Sequence, residues 1–203
     1  MAKRRARSAR MGSGPVSVEL IEQEAVRLFG ERTYPVVGMR DIGDAVGLLP
    51  GSLYVHISSK EDLLLRIVEK GIQKYLEAIT PVVTSGDPAA VKLRGAIAAH
   101  MRVLAVTVEQ TRVAVHQWTY LSAENQEQVA AMRRRYEALF DRVLREGIES
   151  GEFRDMRHPR IAVLSTIGML NSVTQWYSPD GSLTADEIGE VLADNALVGL
   201  QKP

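Results

Sequence analysis

The sequence contains no cysteine among its 203 residues, so the chain can form neither a disulfide nor a thiolate metal site. Its four histidines are scattered and show neither an HxxxH nor an HxH spacing. A GxSxG turn and a phosphate-binding glycine loop are also missing. These absences argue against an enzyme, and we expect neither a metal ion nor a cofactor.

The sequence also lacks a long, uninterrupted apolar run. Residues 161–179 carry no charge and approach the length that spans a bilayer, but polar side chains between Ser165 and Gln175 make membrane insertion costly. We therefore predict a buried helix there and no membrane partner. The N-terminus has no apolar core of a secretory signal peptide, which favours a cytoplasmic protein.

Net charge is lacking as well, since 25 basic residues balance 25 acidic ones, which argues against nonspecific coating of nucleic acid. The charge is nevertheless uneven, because residues 1–60 hold nine Lys/Arg and six Asp/Glu. Five of the first ten residues are basic, and the glycine- and proline-containing segment that follows cannot continue a helix. We predict a flexible basic arm over residues 1–16. It is either a solvated tail or an arm that binds DNA through Arg4, Arg5 and Arg7.

A helix-turn-helix pattern occupies residues 38–63. Ile42 and Val46 mark one face of a first short helix, Gly47 supplies a turn, and Leu53 and Ile57 mark a second helix packed across it. The exposed face of the second helix then carries small or hydrogen-bonding side chains, and no acidic residue lies between positions 48 and 60. Such a helix can enter a major groove of double-stranded DNA. The residues of that face are Gly51, Ser52, Tyr54, Val55 and His56.

The rest of the chain also has helical periodicity, and no segment alternates at the strand period, so we predict an all-α protein of about nine helices. Residues 17–63 would form the DNA-binding domain, in which a helix over residues 17–32 packs across the helix-turn-helix. Residues 64–203 would form a helical effector-binding and dimerisation domain. Ser58 and Glu61 predict a capping box before a long helix that ends at Pro81. Further helices are expected from residue 88 onward, around 112–120, and over 122–150, 159–177 and 184–200, with Gly151 as a C-cap and Thr184 and Glu187 as a second capping box.

The last two predicted helices carry apolar residues on more than one face. Two copies of the chain that meet through a four-helix interface would bury this surplus, and a homodimer would space two reading helices by about 34–36 Å, one turn of DNA. Burial within one subunit is the alternative. The candidate interface residues are Val163, Ile167, Leu170, Trp176, Ile188, Val191, Leu192 and Asn195.

Residues 17–64 resemble the TetR family of bacterial transcriptional regulators. The resemblance rests on Arg40-Asp-Ile42, Gly47, Pro50-Gly-Ser-Leu-Tyr54, His56 and Ser59-Lys-Glu61. It implies a dimeric repressor that a small molecule releases from its operator. It also implies base contacts by Gly51 and Ser52 at the helix opened by Pro50, and phosphate contacts by Tyr54, His56, Lys60 and Arg40. Simple packing of Tyr54 and a solvated Lys60 are the alternatives.

Three positions depart from the family pattern. Gly38 stands where a capping threonine is usual, Leu49 replaces a serine or threonine before Pro50, and Ile57 replaces an aromatic residue. The two missing hydroxyls remove common phosphate contacts and weaken two helix caps, at a cost of about 1 kcal/mol per cap. DNA affinity would then depend more on the basic arm.

The effector site is expected between the long helices, at residues with polar tips or soft surfaces among apolar neighbours. Arg133-Arg-Arg135 could attract an anionic ligand, although three consecutive side chains on a helix point in different directions. Residues 176–185 resemble TetR-type regulators of lipid or sterol catabolism, which favours an apolar or acyl-CoA effector over a small planar drug-like one. An effector-free architectural protein is the third alternative. The candidate ligand contacts are His100, Met101, Leu104, His116, Gln117, Trp118, Tyr120, Met132, Tyr136, Met169, Asn171 and Gln175.

Overall fold

The computed structural model describes residues 17–201, which form eight α-helices and two 3₁₀ turns and contain no strand. The predicted all-α class is confirmed. The helices are α1 (Val18–Arg32), α2 (Met39–Val46), α3 (Pro50–Leu53), α4 (Lys60–Val83), α5 (Ala89–His116), α6 (Ala123–Glu149), α7 (Pro159–Ser172) and α8 (Ala185–Leu200), and the 3₁₀ turns are Trp118–Tyr120 and Val173–Gln175. The predicted arm contacts Arg4, Arg5 and Arg7, and the side chain of Pro50, lie outside the described part of the chain.

The first three helices form the reading unit. Helix α1 begins after Ser17, whose hydroxyl accepts a hydrogen bond from the Leu20 amide, and it buries Phe29 against the short helices. Gly47 ends α2 with φ of 73°, a left-handed conformation that favours glycine. A β-carbon at Gly43 would lie 2.9 Å from the Leu48 carbonyl oxygen, so only glycine lets the turn approach this closely. The predicted helix-turn-helix is therefore present.

Helix α4 begins one residue later than the sequence pattern predicted. Its N-cap is Ser59, whose hydroxyl accepts from the Asp62 amide at 3.0 Å, so the predicted capping box of Ser58 and Glu61 is wrong. Glu61 is engaged elsewhere, because its carboxylate accepts from the Ser122 amide at 2.8 Å and from Asn125 at 2.6 Å. The helix also continues past Pro81 to Val83, since a proline in the last turn removes only one backbone hydrogen bond.

Helix α5 joins two segments that the sequence predicted as separate helices. A break remains at Thr107, where φ is −135° and ψ is 27°, and the Thr107 hydroxyl donates to the Val103 carbonyl at 2.6 Å. The observed eight helices thus differ from the predicted nine mainly by this junction. The predicted helix over 159–177 ends at Ser172, and its last turn is 3₁₀. The Thr184–Glu187 capping box is present. The C-cap of α6 is Ser150 rather than the predicted Gly151, which follows it in the left-handed conformation with φ of 78°.

The buried side chains form two clusters, and α4 contributes to both. Leu64 and Val68 of α4 pack with α1–α3, whereas Tyr75 and Ile79 pack with α5–α8. Because one helix spans both clusters, the predicted domain boundary at residue 63 stays a prediction. Each helix within residues 17–201 is too short or too polar to cross a bilayer.

Candidate functional site

The reading unit presents one continuous exposed face after α2. Leu53 is fully buried, while Tyr54 is 53% exposed and Val55 is 82% exposed. Gly51 and Ser52 are exposed as well, and His56 is half-buried. Helix α3 itself is only four residues long, and the chain continues as a turn that keeps the predicted inward and outward positions apart. The side chains predicted to face DNA are therefore accessible.

Two further apolar side chains of the DNA-binding region are exposed, and the sequence had assigned neither to DNA. Leu49 is 78% exposed and Val36 is 70% exposed. Exposed apolar groups beside a reading helix can contact the methyl groups of thymine.

The missing cap hydroxyl at Gly38 is partly compensated, because the Asp41 carboxylate accepts from the Gly38 amide at 2.7 Å.

The two predicted phosphate cations differ in how they are used within the protein. The Arg40 side chain is 86% exposed and has only a loose 4.0 Å contact with Asp44. The Lys60 ammonium instead donates to the carbonyl oxygens of Tyr34 at 3.0 Å and Val37 at 2.8 Å, and it lies 4.3 Å from the centre of the Tyr34 ring. Lys60 thus ties the α1–α2 loop to the start of α4.

Gln117, predicted as a ligand contact, joins the end of α5 to the reading unit. Its amide nitrogen donates to the Phe29 carbonyl at 2.8 Å, and its amide oxygen accepts from the Tyr34 backbone at 2.6 Å. Tyr120, another predicted ligand contact, stacks on Tyr34 with ring centres 5.9 Å apart. Neither residue lines the core cavity, because both contact the segment that follows α1.

A small cavity of about 60 Å³ lies between α4, α5, α6 and α7. Only three of the predicted ligand contacts line it, namely His100, Tyr136 and Asn171. Its other polar residues are Tyr75, Thr111, Arg133 and Glu137. Its apolar wall is formed by Gly71, Ile72, Ala114, Val115 and Ile167. Nothing in the sequence linked Tyr75 and Ile72 of α4 to His100.

The other predicted ligand contacts are used elsewhere. Met101 and Leu104 are fully buried in the core, and Met101 packs against Gly189 of α8. His116 lies 3.2 Å from the Thr174 hydroxyl, while Trp118 packs under Arg133. Of the remaining three, Met132 is half-buried outside the cavity wall, Met169 lines a groove beside α8, and Gln175 is exposed. These residues do face apolar neighbours, but α5 and α6 are rotated so that other positions reach the cavity.

The polar side chains of the cavity form two hydrogen-bonded groups. The Tyr136 hydroxyl lies 2.8 Å from Nδ1 of His100, and the Tyr75 hydroxyl lies 2.9 Å from that of Thr111. Thr111 in turn lies 3.2 Å from the hydroxyl of Thr107, at the break in α5. The His100 and Tyr75 rings are in contact, with centres 4.5 Å apart. The cavity is therefore connected to the break by a chain of hydroxyls.

Burial determines the charge state of these groups. It lowers the pKa of His100 to about 3, so the imidazole is neutral at physiological pH. It also raises the pKa of Tyr75 to about 12 and that of Tyr136 well above its usual value. Nε2 of His100 is buried and has no hydrogen-bond partner within the described residues.

Arg133 supplies a positive charge to the cavity wall. Its guanidinium lies 5.0 Å from the centre of the Trp118 ring, and among residues 17–201 no carboxylate pairs with it. Arg134, by contrast, pairs with Glu127 at 2.7 Å. The predicted divergence of these arginines is thus observed, and one of them can meet an anionic group. The described helices hold no cluster of side chains that could bind a metal ion.

The predicted dimer residues fall into two groups. Val163, Ile167, Leu170 and Ile188 are buried within the subunit, so they are not available to a partner, because the inner faces of α7 and α8 pack on α5 and α6. Trp176, Val191 and Asn195 are exposed, and Leu192 is half-buried. Three further apolar residues, which are not among the candidate interface residues, lie on the outer faces of these helices. They are Ile161, Leu164 and Val198, which are 61%, 44% and 70% exposed.

Comparison with known proteins identifies this arrangement. Residues 21–67 match the family described as bacterial regulatory proteins, tetR family, and residues 86–200 match the tetracyclin repressor-like C-terminal domain. The chain belongs to the TetR family. Both the reading unit and the helical core therefore have family counterparts, whereas the sequence alone had supported the core only by its architecture.

Relatives of the chain include regulators of known structure. It is 30% identical over 188 residues to the HTH-type transcriptional repressor KstR2 of Rhodococcus jostii (strain RHA1), with 88% of each chain covered. It is similar in structure to the TetR family regulator PfmR of Thermus thermophilus, with a TM-score of 0.82, 31% identity, and 90% and 99% of the two chains covered. A third relative is AibR, solved with isovaleryl coenzyme A and operator DNA, at a TM-score of 0.77 and 25% identity over 92% and 98% of the chains. The protein is therefore a DNA-binding transcriptional regulator and not an enzyme.

Proposed function

We propose that the protein is a homodimeric repressor that leaves its operator when an acyl-CoA thioester binds in the cavity between α4, α5, α6 and α7. The observation that carries this proposal is the composition of that cavity. Apolar side chains and the carbon atoms of the polar ones form most of its surface, it contains the hydrogen-bonded pair of His100 and Tyr136, and it has one arginine without a carboxylate partner in the described chain. The apolar surface suits an acyl group, and the arginine suits the negative charge of the coenzyme. The similarity to AibR, solved with isovaleryl coenzyme A, supports the same class of effector.

The proposed operator contacts follow from exposure and chemistry. Gly51 and Ser52 would approach base edges, Val55 would meet a thymine methyl group, and Tyr54 and His56 would donate to phosphates. Arg40 would add a phosphate contact, as would the third ammonium hydrogen of Lys60. Arg4, Arg5 and Arg7 are proposed as contacts of the N-terminal arm, and DNA binding implies action in the bacterial cytoplasm.

A second copy of the chain is proposed to cover the outer faces of α7 and α8. These faces expose Ile161, Leu164, Val191 and Val198, and Trp176 lies exposed just after the 3₁₀ turn that follows α7. Several exposed apolar side chains on two neighbouring helices are more typical of an interface than of a solvated surface. A two-fold axis through α7 and α8 would also pair two reading units for one palindromic operator.

The size of the cavity suggests how binding changes the reading unit. Ligand sites usually enclose about 300–1,000 Å³, and the present cavity holds about 60 Å³, so an acyl group must widen it. Helix α5 can bend at the break at Thr107. The segment beyond the break leads to Gln117, whose side chain is hydrogen-bonded to the backbone of Phe29 and Tyr34. We propose that displacement of this segment shifts α1 and so changes the spacing of the two reading units in the dimer.

A small planar effector is a second candidate. The observation that favours it is the aromatic part of the wall, where the His100 ring packs 4.5 Å from Tyr75 and 6.1 Å from Tyr136 between ring centres. Flat molecules stack well on such side chains. The mechanism of release would be the same, because the same segment of α5 borders the cavity.

Operator release distinguishes the two candidates. Fluorescence anisotropy would follow binding of the protein to DNA from beside its own coding region, with acetyl-, isovaleryl-, octanoyl- and palmitoyl-CoA or planar aromatic compounds added. We expect at least one acyl-CoA to release the DNA, while free coenzyme A and the free acids do not. Release by planar compounds alone would support the second candidate. A protein that never binds DNA from that region would contradict the repressor assignment.

A further inference from the structure

One buried hydrogen-bonding group in the cavity is left without a partner. Nε2 of His100 has no hydrogen-bond partner within the described chain, although the residue is only 2% exposed. Buried polar atoms of folded proteins are nearly always paired, and an orphaned one needs an explanation. His100 forms part of the cavity wall, so a molecule that fills the cavity packs against this imidazole.

The hydrogen-bond pattern determines whether Nε2 or Nδ1 carries the single N–H hydrogen of the neutral ring. The imidazole is neutral, so it has one N–H and one bare nitrogen. If Nδ1 donated to the Tyr136 oxygen, both the Tyr136 hydroxyl hydrogen and the Nε2 lone pair would lack partners, since no other partner of that hydroxyl occurs in residues 17–201. If the Tyr136 hydroxyl donates to Nδ1, only the Nε2 hydrogen is left over. The second arrangement leaves fewer buried groups unpaired and makes Nε2 a donor.

We infer that Nε2 of His100 donates a hydrogen bond to a carbonyl oxygen of the effector. This inference rests on the proposed function and specifies the effector further, since a purely alkyl chain in the cavity would leave the Nε2 hydrogen unpaired. The acceptor is either the thioester carbonyl or an oxo group farther along the acyl chain. Tyr136 is then a positioning residue, because its hydroxyl holds the imidazole in the tautomer that points a hydrogen at the ligand.

Three coenzyme A derivatives of equal chain length separate these sources. Hexanoyl-CoA has the thioester carbonyl, 3-oxohexanoyl-CoA has a second carbonyl in the acyl chain, and S-hexyl-CoA is a thioether whose six-carbon chain has none. Titration monitored by the fluorescence of the two tryptophans would give the dissociation constants. We expect the thioether to bind about tenfold or more weakly than the best carbonyl compound. A preference for the 3-oxo compound over hexanoyl-CoA would assign the acceptor to the oxo group, and equal affinity of those two would assign it to the thioester.

A paired substitution tests whether His100 is the cause. The double variant His100→Leu with Tyr136→Phe removes both partners, so it leaves no stranded hydroxyl, and its fold is checked by thermal unfolding and operator binding. We expect its preference for carbonyl compounds to disappear. The matched control is His116→Leu, at an exposed histidine outside the cavity wall, which should retain the preference. Equal binding of thioether and thioester by the wild type, or a preference retained by the double variant, would overturn the inference.

A second measurement is independent of any ligand. The ¹⁵N chemical shifts of the His100 ring in the free protein should show the Nε2-protonated tautomer, and Tyr136→Phe should allow the other tautomer to appear. An Nδ1-protonated ring in the wild type would overturn the assignment. If no coenzyme A derivative binds at all, the proposed function fails, and the tautomer measurement still decides the role of Nε2. If all three bind equally and release DNA, the proposed function stands and the carbonyl contact is wrong.

Discussion

Lys60 uses two of its three ammonium hydrogens inside the protein, on the carbonyl oxygens of Tyr34 and Val37. Its substitution must therefore change the reading unit itself as well as any phosphate contact. Arg40 differs, since its side chain is 86% exposed and makes only a loose contact with Asp44. The two cations thus separate a structural effect on DNA binding from a direct one.

Lys60→Met should lower the free energy of unfolding by about 1.5–3 kcal/mol, because hydrogen bonds from a charged donor are lost. Arg40→Met should leave stability unchanged and reduce the slope of log affinity against log salt concentration by about 2 for the dimer, about 1 for each subunit. Urea denaturation and salt titrations of operator binding measure both quantities. Unchanged stability of Lys60→Met would show that its carbonyl contacts contribute nothing, and an unchanged salt slope of Arg40→Met would remove Arg40 from the phosphate contacts.

The burial of His100 predicts a pH dependence of stability. Its pKa is about 3 in the folded protein and about 6.5 when unfolded, so the unfolded state binds a proton more readily below pH 6.5. The associated stability is complete above pH 6.5 and declines as the pH falls toward 3. Between pH 7 and 5 the loss amounts to about 2 kcal/mol.

Urea denaturation at pH 7 and pH 5 would detect this loss. The wild type should lose about 2 kcal/mol more than the double variant His100→Leu with Tyr136→Phe. Carboxylates such as Glu146 and Glu152, whose pKa values are lowered by their hydrogen bonds, contribute little in this range because they titrate below pH 4.5. Equal losses for both proteins would mean that water reaches the imidazole in the folded state.

At the level of elements, α5 links the cavity to the reading unit. Residues 108–116 lie beyond the break at Thr107, border the cavity through Thr111, and end next to Gln117. Arg112, within the same segment, donates to the carbonyl oxygens of Thr174 at 2.6 Å and Tyr177 at 3.0 Å, and so ties the segment to the turn after α7. This segment therefore contacts the proposed effector cavity, the end of α1 and the turn after α7.

Gln117→Met should weaken the response to effector more than it weakens DNA binding. Methionine keeps the length of the side chain and removes the hydrogen bonds to Phe29 and Tyr34. The quantity to measure is the ratio of operator affinities without and with a releasing acyl-CoA, which should fall several-fold toward one. Gln175→Met, at an exposed position outside the junction, is the control and should keep the wild-type ratio. A full response in Gln117→Met would exclude this route of coupling.

For the whole molecule, the outer faces of α7 and α8 expose several apolar side chains that the described chain leaves uncovered. Leu164→Arg or Val191→Arg should convert a dimer to a monomer in sedimentation velocity, because a charge would be buried without a partner. Val106→Arg is the matched control, since Val106 is 83% exposed but lies on α5, away from these faces. A wild-type monomer, or a dimer that tolerates both substitutions, would contradict the proposed interface.

The local patterns were sufficient for the reading unit. Gly47, Leu53, Ile57 and the absence of acidic residues determined its turn, its buried face and its exposed face, because these features act within a few residues of each other. The N-cap of α4 was displaced by one residue, since Glu61 has a partner at the start of α6 that is 61 positions away. Sequence spacing contains no information about such a partner.

The sequence by itself thus determined the all-α class, the helix-turn-helix and the family, since helical period, caps and motif spacing are properties of neighbouring residues. Only the tertiary structure decided which polar residues meet in the cavity. His100, Tyr136, Tyr75 and Thr111 come from three helices whose rotation about their axes is set by packing. Packing likewise placed Gln117 and Tyr120, which follow α5, against the reading unit and turned Ile167 and Leu170 of α7 inward. When a helix has apolar residues on two faces, its sequence does not determine which face is buried, because packing against neighbouring helices decides it.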